Sequence, residues 1–123
     1  MERESETGTI LDHSHSHLTA EFHGVPAEQL RDAALLGGLL IAAASAVGFS
    51  TIGVPSVRHE TGDGVSAVLL LDGGHMIVHS LPGRQTLLFD VVAPASHDSR
   101  KAIEVLSRRL TARDVKSDTR GRG

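Results

Sequence analysis

Hydrophobic and polar residues alternate in this chain with two different periods. Residues 17–23 alternate apolar and polar, as a strand with one covered face does. Four further runs have the composition and length of strands: 65–71, 76–81, 86–92 and, more weakly, 50–57. Only two or three turn residues, at 72–74 and 82–83, separate the three stronger runs. Short turns of this kind indicate antiparallel hairpins.

Two other segments have helical periodicity. Pro26 suits the first turn of a helix, and Gly48 ends the pattern that follows it. Because both sides of this helix, predicted over 26–47, are apolar, we expect it to be covered twice, by the sheet and by a second surface such as another subunit. Ser96 or Ser99 can cap a second helix, which has a narrow apolar stripe and one wet face.

This order of elements predicts an α+β fold. We expect a two-layer α/β sandwich, an antiparallel sheet with two helices on one face, completed by dimerisation. The 123 residues suffice for about one domain. Both ends are polar and without periodicity, so we predict a flexible N-terminal arm over 1–14, a folded domain over 15–115 and a flexible tail over 116–123.

Composition excludes several functions. A net charge of -3 and only 2% aromatic residues argue against a nucleic-acid partner. The absence of cysteine rules out disulfides, thiolate metal ligands and a cysteine nucleophile. The acidic N-terminus lacks the features of a secretory signal, and the apolar stretch at 33–47 is shorter than the roughly 20 residues that cross a bilayer. We therefore expect a cytoplasmic protein that does not enter membranes.

Four segments in register resemble the prokaryotic S-adenosylmethionine decarboxylase proenzymes. They are residues 17–24, 64–68, 75–82 and 89–92, and their order and spacing agree with that family over about 16–113. The resemblance implies a proenzyme that cleaves itself before a serine preceding a histidine, and converts this serine into a pyruvoyl group that serves as electron sink. Here Gly74 precedes His75, and Gly73 replaces the usual glutamate. Glycine has no hydroxyl for self-cleavage, so we expect no cofactor.

The resemblance assigns roles to three more residues of the processing and catalytic centre. Ser66 and His79 match the serine and histidine that assist self-cleavage, so part of the processing apparatus is retained. Pro94 takes the place of the family's catalytic cysteine and cannot donate a proton. The cofactor residue and the acid are therefore both missing from positions that the resemblance identifies.

Substrate-binding positions also differ from the family pattern. Leu81 replaces a tryptophan, and Gly83 replaces the carboxylate expected to hold the nucleoside part of the substrate. Glu21 and Asp90 are the other substrate-binding candidates that the resemblance gives. Tryptophan and tyrosine are absent, so aromatic stacking on adenine has few candidates.

These losses cluster on the chemistry and spare the turns and the core. We therefore predict an S-adenosylmethionine decarboxylase-like protein of polyamine (spermidine) metabolism that is homodimeric and does not process itself. We expect it to act as a pseudoenzyme or as a regulatory subunit, which could pair with an active paralogue. The resemblance leaves enzymatic activity open. One alternative is an active decarboxylase of S-adenosylmethionine or of an amino acid such as arginine or ornithine. Another is a sensor that binds a small molecule in the old pocket.

Other residue clusters have simpler interpretations. His13, His15 and His17 can bind a metal weakly and adventitiously, and His59 can join His75 and His79, but we expect a hydrogen-bonded remnant of the processing centre and no metal site. The glycine pair at 73–74 joins two strands, so a tight hairpin is favoured over a phosphate-binding loop. The basic residues between 100 and 122 alternate with acids, which is typical of a solvated face.

Overall fold

The structure, a computed structural model, describes residues 12–123. Residues 1–11, most of the predicted arm, lie outside it. The elements in chain order are β1 (His15–His23), α1 (Ala27–Leu30), α2 (Ala33–Val47), β2 (Thr51–His59), β3 (Val65–Leu71), β4 (Gly74–Leu81), a 3₁₀ turn (Pro82–Arg84), β5 (Thr86–Pro94), α3 (Lys101–Arg109) and β6 (Asp114–Arg122).

One six-stranded sheet forms the framework. Its strands lie in the order β2-β3-β4-β5-β1-β6, and all neighbours are antiparallel. The chain runs through β2 to β5 as consecutive hairpins, while β1 adds to β5 and carries β6 on its other edge. The helices pack against this sheet, so the predicted α+β sandwich is confirmed.

Alternate residues of the strands build the core beneath the helices. Phe22 of β1 and Phe89 of β5 are diagonal neighbours on adjacent strands, with ring centroids 6.4 Å apart in an edge-to-face arrangement. Side chains of the opposite parity point away from the helices, and within residues 12–123 no helix covers them. We call this side the open face.

The helix predicted over 26–47 is interrupted. α1 ends at Leu30, and α2 starts anew at Ala33 because Asp32 caps it, accepting a hydrogen bond from the Leu35 N–H at 3.0 Å. Gly48 ends α2 with φ +91°, as predicted for a helix-terminating glycine. Leu36, Leu39 and Leu40 are buried, whereas Ile41, which was expected on the side that faces the sheet, is 51% exposed.

The predicted serine cap of the second helix is wrong. α3 starts after Arg100, which has no side-chain cap. Asp98 instead accepts hydrogen bonds from the Arg100 backbone N–H at 3.1 Å and from its Nε at 2.9 Å. The hydrogen bond from the Arg100 side chain lowers the pKa of the Asp98 carboxyl from its usual value. Ser99 is buried, and its hydroxyl has no partner within residues 12–123.

The C-terminal segment departs from the sequence-based expectation of a flexible tail. β6 pairs with the whole length of β1, from His15 opposite Arg122 to His23 opposite Asp114. Its charged residues hide the strand pattern, but the available edge of β1 determines the conformation, because strand formation depends more on context than on intrinsic propensity. No helix within residues 12–123 is long and apolar enough to span a membrane.

Candidate functional site

Several candidate residues lie together on the open face. β3, β4, β5 and β1 are neighbours in the sheet, and side chains of the same parity along them point to the same side. Strand register therefore places Ser66 opposite His79 and Glu21 opposite Leu88, with Asp90 opposite Ile77 on one side and Thr19 on the other. Ser66, His79, Glu21 and Asp90 thus share one surface, whereas Gly74 lies five positions from His79 along β4, opposite Leu71.

The turn between β3 and β4 requires glycine at two successive positions. Gly73 has φ +88°, a left-handed conformation that only glycine adopts without strain. Gly74 begins β4 with its Cα against the backbone of β5. A Cβ at position 74 would overlap the carbonyl oxygen of Val92 and come within 2.8 Å of its carbonyl carbon. Any side chain at position 74 would therefore displace β5.

Pro94, at the end of β5, lies beside this turn. A Cβ built on Gly73 would be 3.5 Å from Pro94 Cγ. His15, at the start of β1, also contacts the turn, because its Nε2 is 2.9 Å from the Gly73 carbonyl oxygen. Since that oxygen can only accept, the His15 Nε2–H is the donor in this contact. Pro94 and the His15 side chain therefore border the turn at Gly73.

Ser66 and His79 form a direct pair. Ser66 Oγ and His79 Nδ1 are 2.7 Å apart, and the two residues are cross-strand partners in the β3–β4 register. Ser66 is buried, whereas His79 is exposed. The pair is five positions along β4 from Gly74, which lies opposite Leu71 in the same register. Ser66 and His79 therefore contact each other but do not adjoin the turn at Gly73 and Gly74.

A hydrogen-bonded network around Asp90 was not predicted. One carboxylate oxygen of Asp90 is 2.7 Å from His17 Nε2, and the other is 3.4 Å from His75 Nε2. The remaining ring nitrogen of His17 is 2.9 Å from the Arg122 guanidinium. The sequence analysis missed Arg122 because it placed this residue in a flexible tail. The alternation of residues 114–122 after a helix was the signal available for a sixth strand.

Shallow hollows lie next to one another on the open face around Leu88. One of about 540 Å³ is lined by Ser66, His79 and Gly83, with Glu60 and Arg84 also on its wall. A second, of about 400 Å³, includes Glu21, Asp90 and His79. A third is bordered by Glu21, Leu81 and Arg84. The predicted substrate-binding positions therefore border neighbouring hollows that share Leu88, and Arg84 adds a cation that sequence reasoning missed.

The histidine clusters do not form metal sites in the part of the chain from 12 to 123. No three His, Cys, Asp or Glu side chains converge there in a metal-binding arrangement. His15 and His17 instead contact the Gly73 carbonyl and Asp90, respectively, and His79 contacts Ser66. Hydrogen bonds therefore account for these three imidazoles.

Comparison with known proteins agrees with this geometry. The family model described as S-adenosylmethionine decarboxylase matches residues 16–123. An arginine decarboxylase proenzyme of Aeropyrum pernix is 32% identical over 100 residues, which cover 79% of this chain and 75% of that protein. The crystal structure of the adenosylmethionine decarboxylase from Aquifex aeolicus has the same fold, with a TM-score of 0.79 and 19% identity over 90% of this chain and 92% of the other. The chain therefore belongs to the S-adenosylmethionine decarboxylase family.

Proposed function

We propose that this chain is a member of the family that does not process itself and has no pyruvoyl-dependent activity. In this proposal it serves polyamine (spermidine) metabolism as a pseudoenzyme or regulatory subunit. The cytoplasmic location remains a prediction from the sequence.

One observation carries the proposal: position 74 does not accommodate the residue from which a pyruvoyl group is made. Glycine offers no hydroxyl to attack the preceding carbonyl. Lack of space adds a second obstacle, because a Cβ at position 74 would overlap the Val92 carbonyl oxygen. Gly73 and Pro94 also differ from the family pattern, because the resemblance places a glutamate and a proton-donating cysteine at these positions. The residues at this turn therefore can neither form nor accommodate a pyruvoyl group.

Intact mass under denaturing conditions tests this proposal. We expect one uncut polypeptide of 13.0 kDa if the chain is expressed as the 123 residues shown. Two chains meeting at Gly73 and Gly74, the second beginning with a ketone, would overturn it. Treatment with an amine and cyanoborohydride before the measurement would add mass to such a ketone and make it visible.

An active decarboxylase is the second candidate, because one relative at 32% identity is an arginine decarboxylase proenzyme. Release of labelled carbon dioxide from arginine, ornithine and S-adenosylmethionine distinguishes the two functions. The pseudoenzyme proposal predicts no release above that of a boiled sample with any of the three. Release that depends on the folded chain, without cleavage at position 74, would favour an active enzyme with another electrophile.

A small-ligand sensor is favoured by the neighbouring hollows beside Glu21 and Asp90. Calorimetric measurement of the binding of the same three compounds and of diamines tests the sensor function. A Glu21→Gln variant is the natural comparison, because it removes a carboxylate and keeps the shape of the side chain. Saturable binding that weakens in this variant, without any turnover, would support a sensor.

Dimerisation is also part of the proposal. Among residues 12–123, the exposed large apolar residues lie on or near the edge strand β2, on both faces of the sheet: Ile41, Ile52, Val54, Val57 and Leu70. Three belong to β2, one to its neighbour β3, and one to α2, which packs on both strands. Apolar surface concentrated in this way is typical of a protein–protein contact. A second copy is the partner that we propose, with an active paralogue as the alternative.

Light scattering at micromolar concentration tests the dimer. We expect twice the 13.0 kDa of the chain. Ile41→Asp and Leu70→Asp probe the helix side and the open face separately, and the variant that yields the monomer identifies the contact. A stable wild-type monomer would contradict this part of the proposal and leave the processing claim intact.

A further inference from the structure

Ser66 and His79 form an isolated polar pair in the sheet. Their side chains are 2.7 Å apart, and within residues 12–123 neither side chain makes another hydrogen bond. The β3–β4 pairing fixes their positions, because Ser66 and His79 are direct cross-strand partners. By contrast, Ser80 has a structural role, since its hydroxyl donates to the Leu30 carbonyl and accepts from the Val65 N–H. The Ser66 hydroxyl is therefore not needed to satisfy backbone groups.

The pair lies on the wall of a concave site. The hollow of about 540 Å³ that contains it is bordered by Gly62 and Gly64, which lack side chains, and by Arg84. Ser66 is only 8% exposed, whereas His79 is exposed. A shielded hydroxyl beside an accessible imidazole is the arrangement by which a general base activates a serine.

We propose that Ser66 is a nucleophile toward activated acyl and phosphonyl compounds, with His79 as its general base. In its neutral form, with the proton on Nε2, His79 accepts the hydroxyl proton at Nδ1 while Ser66 Oγ bonds to the carbonyl carbon. The bond from that carbon to the leaving alcohol or phenol oxygen then breaks, and His79 returns the proton to this oxygen. An ester of Ser66 remains. Water activated in the same way releases the carboxylic acid and restores the hydroxyl, so atoms and electrons balance without a further reactant.

The surroundings limit the substrates to activated compounds. Within residues 12–123 no carboxylate is hydrogen-bonded to His79, so the pair lacks the third group that orients the histidine in a catalytic triad. Phenyl esters and fluorophosphonates have good leaving groups and react without that support. With a fluorophosphonate, Ser66 Oγ bonds to phosphorus, the P–F bond breaks, and the proton taken up by His79 leaves with fluoride. We therefore expect stoichiometric labelling and slow hydrolysis, with no action on amides.

A fluorophosphonate probe followed by intact mass and peptide mapping tests this proposal on the full chain. We expect one adduct, on Ser66, and a burst of one equivalent of nitrophenol from p-nitrophenyl acetate. Ser66→Ala should abolish both signals. His79→Gln should slow labelling by about 10²-fold or more, the usual contribution of a general base. Ser56→Ala removes an exposed serine of the neighbouring strand β2 and should change nothing.

Circular dichroism shows whether each variant is folded. If a variant is unfolded, peptide mapping of the wild-type adduct still shows whether the probe reacts with Ser66. Labelling of Ser66 no faster than labelling of Ser56 would overturn the proposal. Labelling of Ser66 that is unchanged in folded His79→Gln would also overturn it, because the histidine would then have no part in the reaction. Neither result depends on whether the chain cleaves itself at position 74.

Discussion

Replacing Gly74 by alanine tests whether the turn between β3 and β4 tolerates any side chain at this position. The new Cβ would overlap the Val92 carbonyl oxygen and lie 3.1 Å from the Cα of Ala93, so the backbone of β5 must move. Overpacking of this kind typically costs about 1–3 kcal/mol, and a displaced strand loses about one hydrogen bond worth roughly 1 kcal/mol. We therefore expect a loss of about 2–4 kcal/mol in the free energy of unfolding.

Urea unfolding followed by circular dichroism measures this loss. A domain of this length changes its Tm by roughly 3–5 °C per kcal/mol, so thermal unfolding should show a decrease of about 6–20 °C. Gly38→Ala is the matched control, because Gly38 lies in α2 with open space where the Cβ would be. It should stabilise the protein by about 0.5–1 kcal/mol through helix propensity alone. A Gly74→Ala variant within 0.5 kcal/mol of wild type would refute the argument from space.

Three further predictions concern other parts of the fold. Asp32→Ala should destabilise the protein by about 1 kcal/mol in urea unfolding, because the Leu35 N–H at the start of α2 loses its partner, and an unchanged midpoint would contradict the capping role. The hydrogen bond from Arg100 lowers the folded-state pKa of Asp98 below its ordinary value of 3.8. The ionised carboxylate therefore stabilises the fold above pH 3.8, and this stabilisation is lost as the pH falls through the lower folded-state pKa. The difference in unfolding free energy between wild type and Asp98→Asn should thus be constant from pH 7 to 5 and vanish in stronger acid. Amide hydrogen exchange should show protection at Val115 and Ser117, which pair with Phe22 and Ala20, whereas exchange as fast as in a free peptide would mean that β6 does not form.

Strands and hairpins were largely predictable because their signals are local. The run at 65–71 matches β3, and those at 86–92 and 17–23 fall short of β5 and β1 by two residues at one end. The alternation of apolar residues and the glycine turn between β3 and β4 determine this part of the fold without help from distant segments. β6 was missed because its conformation depends on the edge of β1, which lies about a hundred residues away in the chain.

The candidate site was predictable only in part, for a related reason. Hydrophobic periodicity cannot pair Ser66 with His79, and the resemblance to the family suggested that they act together. The Asp90 network could not be inferred, because it needs Arg122 on a strand that the sequence analysis had assigned to a tail. The missing hydroxyl at position 74 was visible in the sequence, whereas the missing space for a Cβ depends on the approach of β5 to the turn.

The central claim is that this chain keeps the fold of its family and does not cleave itself. Intact mass of the wild-type chain after days of incubation tests it most directly, with Gly73→Glu, Gly74→Ser as a parallel sample that restores the residues of the family. We predict a single uncut wild-type polypeptide. The double variant should also remain uncut, because position 73 has φ +88° and position 74 has no room for a Cβ. Wild-type protein found as two chains joined in sequence at Gly73 and Gly74, with a ketone at the new terminus, would contradict the account.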